Sequence, residues 1–441
     1  MMMTLQPVRH ICLRVRKSSE SATVTKRVVI RQMKTSLRIL FTVHGYKPAY
    51  RLGGPILSVS ALAEALVRKG HSVTVFTTNC NMSEELDVPV DCSHMVEGVE
   101  VWYFRRQDLL KKMVPFIPYL SKSMGYLYSP AMANQLHRTV PTMDLVHTHL
   151  PFIYPTFAGA KAARLQNKPL FYHQRGVFDP ARLNFRTLKK RVFLNLVEKP
   201  ILQSATTLVA LTEAEVESYR LLCPSTLCRV IPNGIDVEQY RGEPINPTIL
   251  NLRPETTVIL FLGRLHPIKG ADKLMEAFIS VCRQISDVVL VMAGPDEFKI
   301  ENKFRAIVAQ RNLQNRIVFP GMVTGELKKE LLARADLFCL PSDAEGFSMA
   351  VLEALASGTA VMISPGCHFP EVEKADVGKE VDAEPEVMAR AMLELIRDKE
   401  CLKEMGWRGR DFVTRNYSWD MIADKTVDMY QEGMIRHFHS N

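Results

Sequence analysis

The chain has 441 residues, 47% of them hydrophobic and 23% charged, with a formal net charge of +9. That length exceeds one ordinary core and predicts two domains, each with ample apolar material. No apolar run reaches the roughly 18 residues that a membrane-crossing helix needs, and the nine cysteines form no C-x-x-C pair, so neither a membrane span nor a zinc site is expected.

The positive charge is unevenly spread. Before Met33, Arg9, Arg14, Arg16, Lys17, Lys26, Arg27 and Arg31 stand against one acid, Glu20, so +6 of the +9 lies there. The body that follows is nearly balanced, which argues against a nucleic-acid partner. Residues 1–32 show no helical or strand period and are expected to be a disordered basic extension. A start at Met33 explains that stretch better than a membrane-touching arm or a targeting peptide, because Lys34-Thr35-Ser36-Leu37-Arg38 leads straight into the first strand. Ile11, Cys12 and Leu13 are too short an apolar run for a signal peptide, so a cytoplasmic location is expected, with the inner face of the membrane as the site of any lipid contact.

From Leu37, short β-branched runs alternate with amphipathic helical patterns, as in βαβ units of a parallel sheet. LRILFTVH reads as a strand, GPILSVSALAEALVRKG as a helix and SVTVFTTN as a strand; VEVWYFRR, DLVHTHL, KPLFYHQ and TTLVALT follow as further strands. RVIPNGIDVEQYRGEPINP, rich in Pro, Gly and Asn, reads as a linker. A second series begins at Thr256 with TTVILFLGRL, the helix GADKLMEAFISVC, then VVLVMAGP, RIVFPG, DLFCLPS and AVMISPG. The expected fold is α/β, two facing doubly wound parallel-sheet domains with a ligand cleft between them. The first domain is expected over 33–232 and the second over 233–417, with a C-terminal helix at about 418–441 crossing back to the first.

G-x-G-x-x-G, the P-loop motif and D-x-D are all absent, which lowers the prior for NAD enzymes, P-loop hydrolases and metal-held diphosphate chemistry. Positive charge for a phosphate must then come from side chains and helix ends. In LFLGRLHPIKGADKL a strand ends at Gly263, Arg264 and Lys269 follow, and Gly270 opens a helix whose N-terminus favours an anion. Arg and Lys together can neutralise a departing diphosphate, although those residues alone equally suit a solvated loop. In FCLPSDAEGFSMAVLEALASG, Glu345 ends a loop and Gly346-Phe347-Ser348 presents amides at a helix start. Glu353, about two turns further, can accept hydrogen bonds from vicinal hydroxyls.

G-R-L-x-x-x-K-G followed by P-S-x-x-E-G-F-x-x-x-x-x-E-A-x-A-x-G resembles the retaining glycosyltransferases of family four, which have the two-domain GT-B fold. The resemblance extends from Leu37 to Tyr430 through Gly53 and Gly54, V-H-T-H-L-P with His147 and His149, and P-N-G-I-D from Pro232 to Asp236. It implies that Arg264 and Lys269 hold the donor diphosphate, Glu345 the donor sugar and Glu353 the ribose. By the same resemblance Gly53, Gly54, Gly263, Gly346, Phe347 and Ser348 line the donor site, and His149 lies beside the anomeric carbon. His147 shares its strand face and is expected to be structural. Such enzymes use a nucleotide-sugar, most often a UDP-sugar, and are described as needing neither cofactor nor metal. This chain departs from the family's usual glycine pair before P-E, where it has Cys367-His368-Phe369.

On the acceptor side, Arg105 to Tyr128 interleaves Arg105, Arg106, Lys111, Lys112 and Lys122 with Met113, Phe116, Ile117, Tyr119 and Leu120. Such a surface suits a lipid-linked acceptor or peripheral membrane contact, and equally a core-packing helical hairpin. His173, Arg175 and Asp179 are candidate acceptor contacts, whereas Lys189, Lys190 and Arg191 read as an exposed helix face. The expected activity is retaining transfer of a hexose to a glycan or lipid-linked acceptor in cell-surface polysaccharide or lipopolysaccharide synthesis. A nucleotide-sugar 2-epimerase of the same architecture, or a silent sugar-nucleotide-binding subunit, are the alternatives. The sequence assigns no oligomeric state.

Overall fold

Runs of β-branched and aromatic residues with few charges become strands covered on both faces, as the fully buried Val288–Ala293 illustrates. The computed structural model describes residues 36–82, 84–107, 127–178, 192–242, 250 and 252–440. The basic extension, most of the amphipathic stretch after Gln107, Asp179 and Lys189 to Arg191 lie outside the described residues.

The first half contributes β1 (Arg38–Thr42), β2 (Ser72–Thr78), β3 (Cys80–Asn81), β4 (Glu84–Glu85), β5 (Ser93–Val96), β6 (Val99–Phe104), β7 (Leu145–His149), β8 (Leu170–His173), β9 (Thr207–Ala210) and β10 (Cys228–Val230). Eight of these form one sheet in the order β10-β9-β8-β7-β1-β2-β6-β5, parallel throughout except for β5 against β6, while β3 and β4 form a small ribbon. The second half contributes β11 (Thr257–Leu262), β12 (Val288–Ala293), β13 (Ile317–Gly321), β14 (Leu337–Leu340), β15 (Ala360–Ile363) and β16 (Gly378–Glu380). They form an all-parallel sheet, β13-β12-β11-β14-β15-β16. Strand order reverses between β1 and β7 and between β11 and β14. Loops leaving those strands splay apart there and open a crevice, the place where open α/β sheets receive ligands.

The two-residue alternation splits each strand of the first sheet between two cores. Ile39, Phe41 and Val75 join Tyr430 on one face, and Leu40, Phe76 and Tyr172 join Met132 and Ala158 on the other. Five helices matter for the site: α1 (Gly54–Arg68), α2 (Ala271–Cys282), α3 (Met349–Ala356), α4 (Lys399–Tyr417) and α5 (Trp419–Ser440). α5 follows the second domain in sequence yet packs on the first, where Glu432 pairs with Arg229 and the Tyr430 hydroxyl lies 2.7 Å from His147 Nδ1.

The chain therefore passes between the sheets twice, and the two passes are stitched together. The Ile235 amide donates to the Tyr417 carbonyl at 2.8 Å, and Ile235 forms a parallel bridge with Ser418. Gly234 lies flat against Trp419, where an added Cβ would come within 2.7 Å of the indole ring and 3.1 Å of its Cα. Gly234→Ala is expected to lower unfolding free energy by about 1–3 kcal/mol, the usual cost of overpacking. Denaturant titration checks this; unchanged stability would mean that the two passes are not in close contact.

Candidate active site

In the second domain the site is assembled from loops that leave β11 and β14 side by side. Gly263 follows β11, its amide donating to the Ala293 carbonyl at 2.9 Å. Arg264 comes next, about half exposed, and pairs with Glu297 at 3.2 Å. Lys269 ends a 3-10 turn, and Gly270 caps α2 with φ 67°, its Cα pressed against the Pro341 carbonyl. That left-handed backbone and close approach both require glycine. Lys269 reaches Glu345, 76 residues away, in an ion pair whose side chains are only 17% and 7% exposed. The structure thus joins Lys269 to Glu345 and leaves Arg264 with an acid of the neighbouring loop, the one after β12.

The Cys367-His368-Phe369 departure has a physical account. Gly366 abuts the Ser342 and Asp343 backbone so closely that no side chain fits, and its carbonyl accepts the Glu345 amide at 2.8 Å. Ser364 Oγ donates to the Ser342 carbonyl at 2.6 Å, and Cys367 Sγ to that of Leu340 at 3.2 Å. Phe369 is buried against Phe347 and Tyr417, with centroids 5.8 and 5.4 Å away. This loop therefore sets the height of Glu345. Gly346 meets the first domain, where an added Cβ would lie 3.3 Å from Gly176 Cα, and Ser348 caps α3 by accepting from the Val351 amide at 3.4 Å.

On the facing side, Gly53 has φ 89° and precedes α1; a Cβ on Gly53 or Gly54 would meet no atom within 4 Å. The bare backbone there borders a cleft of about 810 Å³ lined by Gly54, Ser58, Gly234, Tyr240, Glu353 and Trp419, among others. Glu353 pairs with Lys328 at 2.8 Å, and burial together with the Glu353 carboxylate pushes the Tyr240 phenol upward. Glu353 thus lines the open cleft, whereas Glu345 sits deeper, at the seam with Gly176.

Beneath the seam is a group that the sequence reveals only in part. His147, His149 and His173, at the ends of β7 and β8, are essentially sealed, with ring nitrogens within 4.8 Å of one another. Their geometry resembles a metal-ligand set, yet Arg175 touches it, its Nε donating to His149 Nδ1 at 3.4 Å. A guanidinium at that distance disfavours a divalent cation, and among the described residues no aspartate, glutamate or cysteine belongs to the cluster. Burial first, and then Arg175 or a neighbouring imidazole, holds all three rings far below the ordinary histidine range, and burial lowers His44 to about 4. The rings are neutral at pH 7. His149, assigned by resemblance to the sugar, is fully covered and meets Phe41 edge-on at 4.8 Å.

Glu198, Tyr240, Ser58 and His44 are site-region residues that sequence reasoning did not single out, and Asn233 enters there only as part of P-N-G-I-D. Glu198, 1% exposed, accepts from the Phe152 amide and the Tyr172 hydroxyl, both at 2.6 Å, and burial raises its pKa. It anchors the loop after His149, in which Leu150 and Phe152 have φ of 68° and 65°. Only burial marks Glu198, and burial leaves no local sequence signal.

Four depressed histidines fix the sign of one pH effect. Their unfolded forms bind protons near pH 6.5 and their folded forms only at lower pH, His44 at about 4, so the stability they confer is complete above about 6.5 and drains as pH falls. Each contributes up to about 1.4 kcal/mol per pH unit in that window. Melting temperature is expected to drop between pH 7.5 and 5.5, less steeply in His44→Asn; equal slopes in both proteins would contradict the assignment.

Comparison with known proteins bears on the fold and the family. A model of glycosyltransferase family 4 matches residues 52–239, and one of glycosyl transferases group 1 matches residues 243–412. An uncharacterised glycosyltransferase of Methanocaldococcus jannaschii is 25% identical over 422 residues, covering 90% of this chain and 99% of its own. A D-inositol 3-phosphate glycosyltransferase of Xylanimonas cellulosilytica is 26% identical over 401 residues, covering 87% and 93%. Among solved structures, Anabaena HepE in complex with UDP shares the fold with a TM-score of 0.65 at 19% identity, over 90% of this chain and 100% of that one. With one matched model on each parallel-sheet domain, the chain belongs to the family-four, group 1 glycosyltransferases and has their two-domain GT-B fold.

Proposed function

We propose that the chain moves a hexose-type sugar from a nucleotide-sugar to a hydroxyl of a glycan or lipid-linked acceptor, with retention at the anomeric carbon and without a metal ion. The observation that carries this reading is the Lys269–Glu345 pair at the β11/β14 switch point, facing the first domain across the seam. UDP is the first donor nucleotide to try, because HepE binds it in the same fold. Cell-surface polysaccharide or lipopolysaccharide synthesis is the setting that suits such an acceptor.

The chemistry asks for stabilisation of charge on the departing diphosphate. The bond from the anomeric carbon to the phosphate oxygen breaks, the acceptor oxygen bonds to that carbon on the same face, and its proton passes to the leaving phosphate. Lys269 supplies a mobile positive charge, the bare Gly53-Gly54 backbone before α1 permits close approach and offers the Gly54 amide, and Arg264 can exchange Glu297 for phosphate oxygens. Glu345, released from Lys269 by the incoming diphosphate, accepts hydrogen bonds from sugar hydroxyls. Glu353, on the open cleft beside Tyr240, is placed for a ribose.

Lys269→Ala is expected to reduce sugar transfer by about a hundredfold or more, the range for losing one donor to a developing anion, a larger effect than its loss of stability from leaving Glu345 unpaired. Mass-spectrometric detection of product from UDP- or GDP-sugars checks this. Near-normal turnover in a well-folded variant would contradict the phosphate role.

A further inference from the structure

The first sheet has two faces with unlike coverings. α1 and α5 cover the face of Ile39 and Phe41, whereas helices Pro130–Thr139, Tyr154–Leu165 and Lys199–Ser204 lie side by side over the face of Leu40 and Phe76. Residues 127–178 and 192–206, which build that second layer and two of the strands beneath it, contain only two acids. Asp144 is held by Arg38 and Glu198 is buried, so no unpaired acid of these stretches faces solvent.

Three hollows border helix Tyr154–Leu165, and none is lined by a carboxylate. Two are largely apolar: one of about 220 Å³ against Leu136, and one of about 250 Å³ against Leu196 and Ile201, with Phe157 and Lys161 common to both. The third, of about 460 Å³, is polar; Arg164, Lys168, Arg436 and His437 line it, and it shares Arg164 and Ser204 with the second. The cleft beside Gly54 is the opposite, with Glu64, Asp236, Glu238, Glu353 and Asp420 in its walls. Lys161 and Arg164 are exposed and form no ion pair with a described residue. Lys168 donates to the Pro141 and Met143 carbonyls, which leaves its charge uncancelled, and Arg436 shares Glu432 with Arg229. Beside these cations Leu165 and Leu196 are 65% and 73% exposed.

Apolar hollows that run into a basic one match an amphiphile with an anionic head. A second copy of this face would bring like charges together, and the chain's own stretches at 108–126 and 179–191 carry eight lysines and arginines against Asp108 and Asp179. We propose that this face docks on an anionic bilayer, with a lipid phosphate in the hollow at Arg164 and with Leu165 and Leu196 entering the headgroup layer. Helix Tyr154–Leu165 begins just past His149, so docking holds the first-domain side of the seam near the lipid surface. The inference rests on this surface and not on the sugar chemistry.

The test is flotation of the full chain with vesicles of phosphatidylcholine, alone or with about a third phosphatidylglycerol, at low and high salt. The parent is expected to float with the anionic vesicles at low salt and to stay behind with neutral ones or at high salt. Lys161→Gln combined with Arg164→Gln should weaken binding about 25-fold, from about fivefold for each lost cation. Leu165→Ser combined with Leu196→Ser should weaken it at unchanged charge, whereas Arg415→Gln, exposed on α4 of the second domain, should bind as the parent does. Melting temperatures near that of the parent show that these surface variants are folded. A parent that ignores anionic vesicles, or a Lys161 and Arg164 variant that floats as the parent does, would overturn the proposal. So would a melting-temperature rise with inorganic phosphate but no vesicle binding, which assigns the hollow to a soluble anion. Self-association abolished by the leucine substitutions would overturn it too, by assigning the face to a second copy. UDP protection, read on the same samples, keeps a failure here distinct from a failure of the transferase reading.

Discussion

The site depends on one constraint: the chain crosses between its two sheets at residues 233–236 and again at 417–419, and the crossings are joined by the Ile235–Tyr417 hydrogen bond and the Gly234–Trp419 contact. Two flexible tethers would let the domains face anywhere. Two tethers fused at one place leave a single axis about which they can turn, and the carboxyl ends of both sheets lie on the same side of it. That geometry brings the loop after β14 against the loop after β8. The contact uses Gly346 and Gly176, where bare backbone permits close approach.

Electrostatics then organises what lies in the cleft. Cations that would meet a nucleotide diphosphate are held by acids, Lys269 by Glu345 and Arg264 by Glu297. The first pair is largely buried and the second half exposed, so an anion with more charge would have to displace a carboxylate from each. In the proposed reaction the Lys269–Glu345 pair would act as a placeholder, its exchange coupling phosphate arrival to release of Glu345 toward the sugar. Behind it the neutral histidines and Arg175 form a buried floor, with the buried Glu215 carboxylate near enough to act on the guanidinium as an opposite charge.

Much of this was legible in the sequence, for a definable reason. Strands buried on both faces, such as LFCL and VVLVMA, leave continuous apolar runs, and the Gly-Arg and Glu-Gly motifs fall in the loops that leave them. Arg229 and Val230 read as the start of the linker although Cys228–Val230 pairs with β9, because three half-buried residues carry no period. β5 and β16 escaped likewise; both are edge strands with exposed or half-exposed residues. The Lys269–Glu345 pair joins residues 76 apart, and His147 meets Tyr430 across 283, so neither contact has a local signature. The two-residue period did place His147 and His149 on one face, where their rings lie 4.2 Å apart. What it could not show was that the face is sealed by α5.

The central claim is that one nucleotide-sugar is gripped from both domains at the paired switch points. A crystal structure of the chain with UDP tests it most directly. The account predicts the diphosphate between the α1 N-terminus and Lys269, with the ribose at Glu353. A nucleotide bound elsewhere, or held by the second domain with Lys269 still on Glu345, would contradict it.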